Sequence, residues 1–138
     1  MVSGELIGGC LEVLDWLRGT ILWPDLKEWE NKILFLETSE DKPTPNYIRW
    51  YLRALNALGI LKKINGLIIG KPQDEKYYDK YKEEYLKVIR DEAKRDDLPI
   101  IYNMNFGHTA PMFILPYGVK AEIDCDNNKF RINETATA

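Results

Sequence analysis

The 138-residue sequence is poor in the side chains from which catalytic and metal sites are usually built. It contains one histidine, His108, two cysteines, Cys10 and Cys125, and two serines, Ser3 and Ser39. Two cysteines so far apart predict neither a disulfide framework nor a CxxC metal site, and we interpret them as free thiols. Neither serine lies in a GxSxG turn between a strand and a helix. A serine nucleophile is therefore not expected within this sequence.

Long apolar runs and an excess of positive charge are also missing. No apolar run approaches the roughly 20 residues that span a bilayer, and the N-terminus lacks the basic-then-apolar pattern of a secretory signal. We therefore expect a cytoplasmic protein that does not contact a membrane. The formal net charge of -3 offers no broad attraction for the phosphates of nucleic acid, so a nucleic-acid partner is not expected either.

Motifs that bind phosphates or cofactors are also missing from the sequence. The sequence has no dinucleotide fingerprint, and Gly70-Lys71-Pro72 lacks the further glycines and the Ser or Thr of a phosphate-binding loop. No cluster of metal-ligating residues is visible. We therefore predict that the protein uses no cofactor and no metal.

The composition that remains is typical of a folded domain. The chain is 45% hydrophobic and 30% charged, far from the values of disordered or fibrous proteins. Its length suits one compact unit with its own core. We therefore expect residues 1–138 to form a single domain, with a frayed tail at Glu134 to Ala138.

The hydrophobic pattern predicts alternating strands and helices. Apolar runs and stripes predict strands at 33–37, 67–69 and 100–103, and helices at 10–17, 45–58 and 77–89. Thr44 is expected to cap the second helix with its hydroxyl, and Gly59 to end it. An extended segment precedes the first helix at Leu6 and Ile7, and a hairpin is predicted from 119–123 and 129–132. The sequence thus predicts an α/β fold with a mixed, largely parallel sheet, flanking helices and a C-terminal β-hairpin.

Glu37 and His108 are the candidate catalytic residues. Glu37 ends the first predicted strand and His108 follows the third by a few residues. Catalytic groups collect beyond the carboxyl ends of parallel strands, so the two side chains would meet if their strands are neighbours or neighbours but one. A glutamate can hold a histidine in the orientation that a general base needs.

Other interpretations of these residues stay open at this point. His108 alone could be a surface or capping histidine, and Glu37 a solvated turn residue, although Gly107 permits an unusual turn beside the ring. Cys10 is a candidate internal nucleophile, because the positive end of a helix beginning there would lower its thiol pKa. A hydrolase using Cys10 and His108 and a stand-alone ligand-binding or interaction domain without catalysis are the alternatives.

Four segments resemble the LD-carboxypeptidase family, which includes the microcin C immunity proteins, and they occur in the right order. The segments are Leu6-Ile7-Gly8-Gly9-Cys10-Leu11-Glu12-Val13-Leu14, Trp23-Pro24, Leu34-Phe35-Leu36-Glu37-Thr38-Ser39-Glu40 and Asn105-Phe106-Gly107-His108. The resemblance implies a swivelling-type β/β/α domain that forms the C-terminal half of a serine peptidase. The preceding domain, which would carry the serine and the oxyanion hole, is absent from this sequence.

The resemblance also implies roles for the two candidate residues. By position, His108 would take the proton of the serine and later give it to the leaving amine, while Glu37 would orient and stabilise the imidazolium. The substrate would carry an amide bond, in a muropeptide or in a peptidyl or aminoacyl nucleotide. Cys10 stands where muropeptide-cleaving members usually have asparagine, which favours the microcin-immunity branch and a structural role for Cys10. The fragment alone would be inactive.

A homodimer is a further hypothesis. Three tryptophans, Trp23, Trp29 and Trp50, are candidates for lining its interface, because large aromatic side chains are enriched at such surfaces. A sedimentation measurement that finds only monomer would remove this hypothesis.

Overall fold

The sheet at the centre of the molecule has six strands. The computed structural model describes residues 1–137. The strands are β1 (Val2–Cys10), β2 (Ile33–Glu37), β3 (Gly66–Gly70), β4 (Ile100–Met104), β5 (Lys120–Asp124) and β6 (Lys129–Ile132). Their order across the sheet is β4-β3-β2-β1-β5-β6. The pairs β1–β2, β2–β3 and β3–β4 are parallel, whereas β1–β5 and β5–β6 are antiparallel. The predicted mixed, largely parallel sheet is confirmed.

Three helices connect the parallel strands. They are α1 (Leu11–Leu17), α2 (Pro45–Ala57) and α3 (Tyr78–Leu86), and α3 continues into a π-helical segment at Lys87–Glu92. Short 3₁₀ turns lie at Leu26–Trp29, Ile60–Lys62 and Gln73–Glu75. Gly59 follows α2 in the left-handed conformation, as predicted for a helix stop. In residues 1–137 no helix is long and apolar enough to cross a membrane.

The two faces of the sheet are covered by different parts of the chain. All three helices pack on one face, where Leu34, Leu36 and Leu67 meet apolar residues of the helices. The other face carries a smaller cluster that includes Phe35 and Phe106. Every residue of β2 is buried, because both of its faces are covered and it pairs with a strand on either side. This burial explains the continuous apolar run that predicted the strand.

β1 is longer than the sequence indicates. The apolar pattern marks only Leu6 and Ile7 as extended, yet β1 runs over nine residues and pairs with both β2 and β5. Gly8 interrupts the apolar pattern but belongs in the strand, since a Cβ there would collide with the carbonyl oxygen of Phe35. Glycine at this position therefore permits the close backbone approach of two central strands.

Several local predictions were wrong. Thr44 precedes α2, but within residues 1–137 its hydroxyl makes no capping hydrogen bond. The helix predicted to run to Leu58 ends at Ala57, and Leu58 is exposed. Trp29 cannot line a dimer surface, since it is 1% exposed and its ring packs against Trp23 with a centroid separation of 5.3 Å. Trp50 is exposed, as that hypothesis requires.

The C-terminal hairpin is confirmed, with its turn held by Asp124. The carboxylate of Asp124 accepts hydrogen bonds from the backbone and side-chain N–H groups of Asn127 at 3.2 and 2.8 Å. Glu134, assigned to a frayed tail, accepts the backbone N–H of Lys120 at 3.0 Å. The last residue of that predicted tail, Ala138, lies outside the described residues.

Candidate active site

Glu37 and His108 meet at the carboxyl edge of the parallel strands. Glu37 is the last residue of β2, and His108 lies four residues beyond the end of β4. These strands are neighbours but one, with β3 between them. The Nδ1 atom of His108 lies 2.8 Å from Oε2 of Glu37, which is hydrogen-bond distance. The structure therefore brings together the two residues that the sequence singled out.

The turn from Asn105 to His108 determines how the ring reaches Glu37. Phe106 is buried and packs edge-on against Phe35, with ring centroids 6.0 Å apart. Gly107 has a φ of +84°, and the next residue, His108, donates its backbone N–H to the same Oε2 at 3.2 Å. One carboxylate oxygen thus holds both the backbone and the ring of His108.

The electrostatics of the pair favour a charged imidazole. The hydrogen bond to Glu37 raises the pKa of His108, partial burial opposes this, and the negative charges of Glu37, Glu40 and Glu12 add to the rise. An ionised Glu37 can only accept, so we assign the proton of the bond to Nδ1. The Nε2 atom is then the nitrogen that can exchange protons with a substrate or a nucleophile.

Two further carboxylates surround the pair, and sequence reasoning assigned no role to either. Oε2 of Glu40 lies 3.0 Å from Nε2 of His108. Glu12 accepts the hydroxyl of Ser39 at 2.6 Å and its backbone N–H at 3.1 Å. Both glutamates lie in the segments that carry the family resemblance, and this is the one sequence signal that could have drawn attention to them.

A cleft of about 510 Å³ opens beside His108. Its lining residues are Lys71, Gln73, Asp74, Glu75, Gly107, His108, Thr109, Ala110 and Met112. Lys71 pairs with Glu75 at 2.9 Å, and Asp74 pairs with Lys42 from the loop after β2. The cleft is therefore lined by side chains of both charge signs, and the imidazole of His108 lies at its edge.

The structure does not support Cys10 as a nucleophile. Cys10 is the register partner of Glu37 in the β1–β2 pair, and its thiol points to Oε2 of Glu12 at 3.4 Å. Burial, aided by these two carboxylates, raises its pKa to about 12. The predicted lowering of the pKa is wrong, because desolvation outweighs the backbone hydrogen bond of Val13 in the first turn of α1, which acts in the opposite direction.

The two serines occupy structural positions. Ser3 lies in β1 opposite Glu122, and the hydroxyl of Ser39 donates to Glu12. Among residues 1–137, neither hydroxyl is hydrogen-bonded to His108, and no three His, Cys, Asp or Glu side chains are grouped as a metal site would require.

The fold and this geometry define an α/β domain that presents a histidine–carboxylate pair at the carboxyl edge of a largely parallel sheet. The family described as LD-carboxypeptidase C-terminal domain matches residues 3–123. The chain belongs to this family, the C-terminal domain of the LD-carboxypeptidase and MccF serine peptidases.

Individual relatives are similar along almost the whole chain. A Streptococcus pneumoniae MccF-like protein, solved in complex with AMP, is 40% identical, with a TM-score of 0.81 over 96% of this chain and 42% of its own. The muramoyltetrapeptide carboxypeptidase of Oxalobacter formigenes is 31% identical, with a TM-score of 0.70 over 94% of this chain and 44% of its own. The microcin C7 self-immunity protein MccF of Escherichia coli is 29% identical over 96% of this chain and 37% of its own length.

The coverage of these relatives is partial. The chain spans between 35% and 40% of the length of the curated relatives that it matches. MccF itself has been solved with aspartyl sulfamoyl adenosine, and as an active-site mutant in which a serine, an asparagine and a lysine are replaced by alanine.

Proposed function

We propose that this chain is the C-terminal half of a two-domain serine peptidase, with His108 as general base and Glu37 as its orienting carboxylate. The observation that carries the proposal is the 2.8 Å contact between Nδ1 of His108 and the buried Glu37. This contact leaves Nε2 directed away from Glu37, as the base of a Ser-Glu-His triad requires. The full-length protein is then an amide hydrolase.

The two residues would act in consecutive proton transfers. As the serine oxygen attacks the amide carbon, His108 takes the hydroxyl proton at Nε2 and becomes an imidazolium that Glu37 stabilises. The imidazolium then gives this proton to the leaving amine as the C–N bond breaks, which leaves an acyl-enzyme on the serine. Water, deprotonated by the same nitrogen, hydrolyses the ester. Glu37 stays ionised throughout and keeps Nδ1 protonated.

The serine and the oxyanion hole would come from a preceding domain of the same polypeptide. Three observations support this second domain. The curated relatives are more than twice as long as this chain. Ser3 lies in β1 opposite Glu122, and the hydroxyl of Ser39 donates to Glu12. An active-site serine was mutated in MccF. We therefore expect the 138-residue chain alone to have no hydrolase activity.

The relatives support two substrate classes that share an amide bond. An aminoacyl or peptidyl nucleotide is favoured, because the MccF-like relative with 40% identity was solved with AMP and MccF with an aminoacyl sulfamoyl nucleoside. A muropeptide is the alternative, supported by the muramoyltetrapeptide carboxypeptidase at 31% identity. Cys10, in place of the asparagine usual in muropeptide-cleaving members, also favours the first class.

The test uses full-length polypeptide with His108→Ala or Glu37→Gln. We expect each variant to lose about 1,000-fold or more of kcat/KM, because a triad without its base or its orienting carboxylate keeps only the catalysis due to binding and the oxyanion hole. Release of the amine is measured with an aminoacyl nucleotide amide and, separately, with a muramoyl tetrapeptide.

Two controls separate chemistry from folding. Glu83→Gln changes an exposed glutamate of α3 and should leave kcat/KM unchanged. Added imidazole should partly restore His108→Ala, because it replaces the lost base. Near-normal hydrolysis by either site variant would contradict the catalytic roles of His108 and Glu37 and favour a binding domain without catalysis.

A further inference from the structure

His108 lies between two carboxylates. Its Nδ1 contacts Glu37 at 2.8 Å, and its Nε2 contacts Glu40 at 3.0 Å. The contact with Glu37 is a hydrogen bond, whereas Glu40 acts on the ring through its charge. Both carboxylates therefore favour the protonated form of the imidazole.

The loop after β2 holds Glu40 in this position. Ser39 is fixed before it by the two hydrogen bonds to Glu12. Lys42 is fixed after it, since its backbone N–H donates to the carbonyl of Ser39 at 3.1 Å and its ammonium pairs with Asp74. The contact between Glu40 and His108 thus follows from a turn that is bonded at both ends.

The two carboxylates differ in their freedom to move. The side chain of Glu37 is 9% exposed and accepts a backbone N–H as well as the ring, so it cannot leave without breaking the turn. The side chain of Glu40 is 65% exposed and can rotate into water. Of the two carboxylates, only Glu40 can leave the ring and be replaced by another group.

We propose that Glu40 is a positioning residue that occupies Nε2 of His108 in the resting site and withdraws when the nucleophile arrives. This proposal rests on the proposed role of His108 as the general base. A base must offer a lone pair at Nε2, so Glu40 and the serine hydroxyl compete for the same atom. While Glu40 is in place, the ring is aligned by Glu37, but its Nε2 is occupied and favoured in the protonated form.

The surrounding charges agree with this role. Glu12, Glu37 and Glu40 all raise the pKa of His108. Lys71 of the cleft and Lys42 of the loop after β2 are each paired with a carboxylate. The ring therefore faces net negative charge from the loop after β2. Removal of Glu40 lowers the pKa of His108, so a larger fraction of the ring is neutral at any pH below neutrality.

The experiment compares the pH dependence of kcat/KM in full-length wild type, Glu40→Gln and the matched control Glu83→Gln, which changes an exposed glutamate of α3. On the acid limb of the profile, kcat/KM rises with the neutral fraction of His108. There the kcat/KM of Glu40→Gln should be about threefold higher than that of wild type, because this is the effect expected from the loss of one exposed ion pair. On the alkaline plateau the two should be equal. Glu83→Gln removes the same charge from a residue that does not line the cleft, and its acid limb should follow wild type.

An acid limb of Glu40→Gln that coincides with wild type, or an equal loss at every pH, would overturn the proposal. The first result would show that Glu40 does not affect the ring, and the second that it contributes to folding or to substrate binding. A readout without activity is the NMR titration of the imidazole in the 138-residue chain, where His108 is the single histidine. Its midpoint should fall in Glu40→Gln and stay unchanged in Glu83→Gln. Activity retained by His108→Ala would instead count against the proposed function.

Discussion

At the scale of single residues, the site depends on the missing side chain of Gly107. Its φ of +84° lies in the left-handed region, which costs an L-residue roughly 1–2 kcal/mol. A Cβ at this position would also lie 2.5 Å from Oε2 of Glu37, the oxygen that accepts from His108. Glycine is therefore needed both for the turn and for the carboxylate beside it.

Gly107→Ala should separate these two requirements when it is compared with Gly118→Ala. Gly118 also has a positive φ, of +78°, but a Cβ there meets no atom of residues 1–137 within 4 Å. Gly118→Ala should lose about 1–2 kcal/mol in the free energy of unfolding, measured with urea, and Gly107→Ala should lose more, because its Cβ also collides with Glu37. Gly107→Ala should also displace Glu37 and return the pKa of His108 toward its ordinary value, as followed by NMR. An unchanged His108 titration in Gly107→Ala would contradict this account.

Sequence reasoning placed the central pair of the site but not its surroundings. Glu37 and His108 could be predicted because strand ends and the family resemblance selected the same residues. Glu12 and Glu40 could not, since their roles depend on how the turn after β2 folds back, which has no periodic pattern in sequence. For Cys10, the family resemblance favoured a structural role, and only the lowered thiol pKa expected from its position was wrong, because that pKa depends on burial and on nearby carboxylates set by tertiary packing.

At the scale of elements, periodicity predicts which helix residues are buried but not how their polar atoms are satisfied. Tyr81 and Tyr85 lie one turn apart on α3, and both are buried as the stripe predicted. The hydroxyl of Tyr81 donates to the carbonyl of Pro43, whereas that of Tyr85 is buried and has no hydrogen-bond partner among residues 1–137. Burial raises the pKa of both phenols, so they are un-ionised at neutral pH.

Tyr85→Phe and Tyr81→Phe should therefore have different effects on stability. Removing a hydroxyl that is bonded should cost Tyr81→Phe about 1 kcal/mol, because the carbonyl of Pro43 loses its donor. Removing an unpaired buried hydroxyl should cost Tyr85→Phe nothing, and can stabilise it by up to about 1 kcal/mol. Urea unfolding of the two variants and wild type measures both changes. An equal loss in the two variants would show that the hydroxyl of Tyr85 has a partner after all.

The apolar pattern also predicted the sheet only in part. The alternation of strand and helix patterns from β2 to β4 predicted a parallel sheet, because each element buries an apolar face that is readable in the sequence. The central strand β1 was recognised only in part, since close packing against β2 requires Gly8, and a glycine has no side chain to mark a strand face.

At the scale of the whole molecule, the segment just after His108 exposes a run of large apolar side chains. Met112 is 70% exposed and Ile114 86% exposed, and Phe113 and Tyr117 are exposed beside them. Contiguous apolar surface of this kind marks an interface. Met112 also lines the cleft next to His108, so whatever covers this segment lies against the candidate site. In the proposed two-domain enzyme, the occupant is the preceding domain, which has to bring its serine to Nε2.

Hydrogen exchange can test this contact without any substitution. In a polypeptide that includes the preceding domain, the backbone amides of residues 112–115 should exchange at least about tenfold more slowly than in the 138-residue chain, because a docked domain excludes water from them. Residues 20–22 are an internal control, since Ile21 and Leu22 are exposed to a similar degree but lie in the turn after α1, away from the cleft. Their exchange should be the same in both forms. Equal exchange of residues 112–115 in the two forms would mean that the preceding domain does not cover this surface.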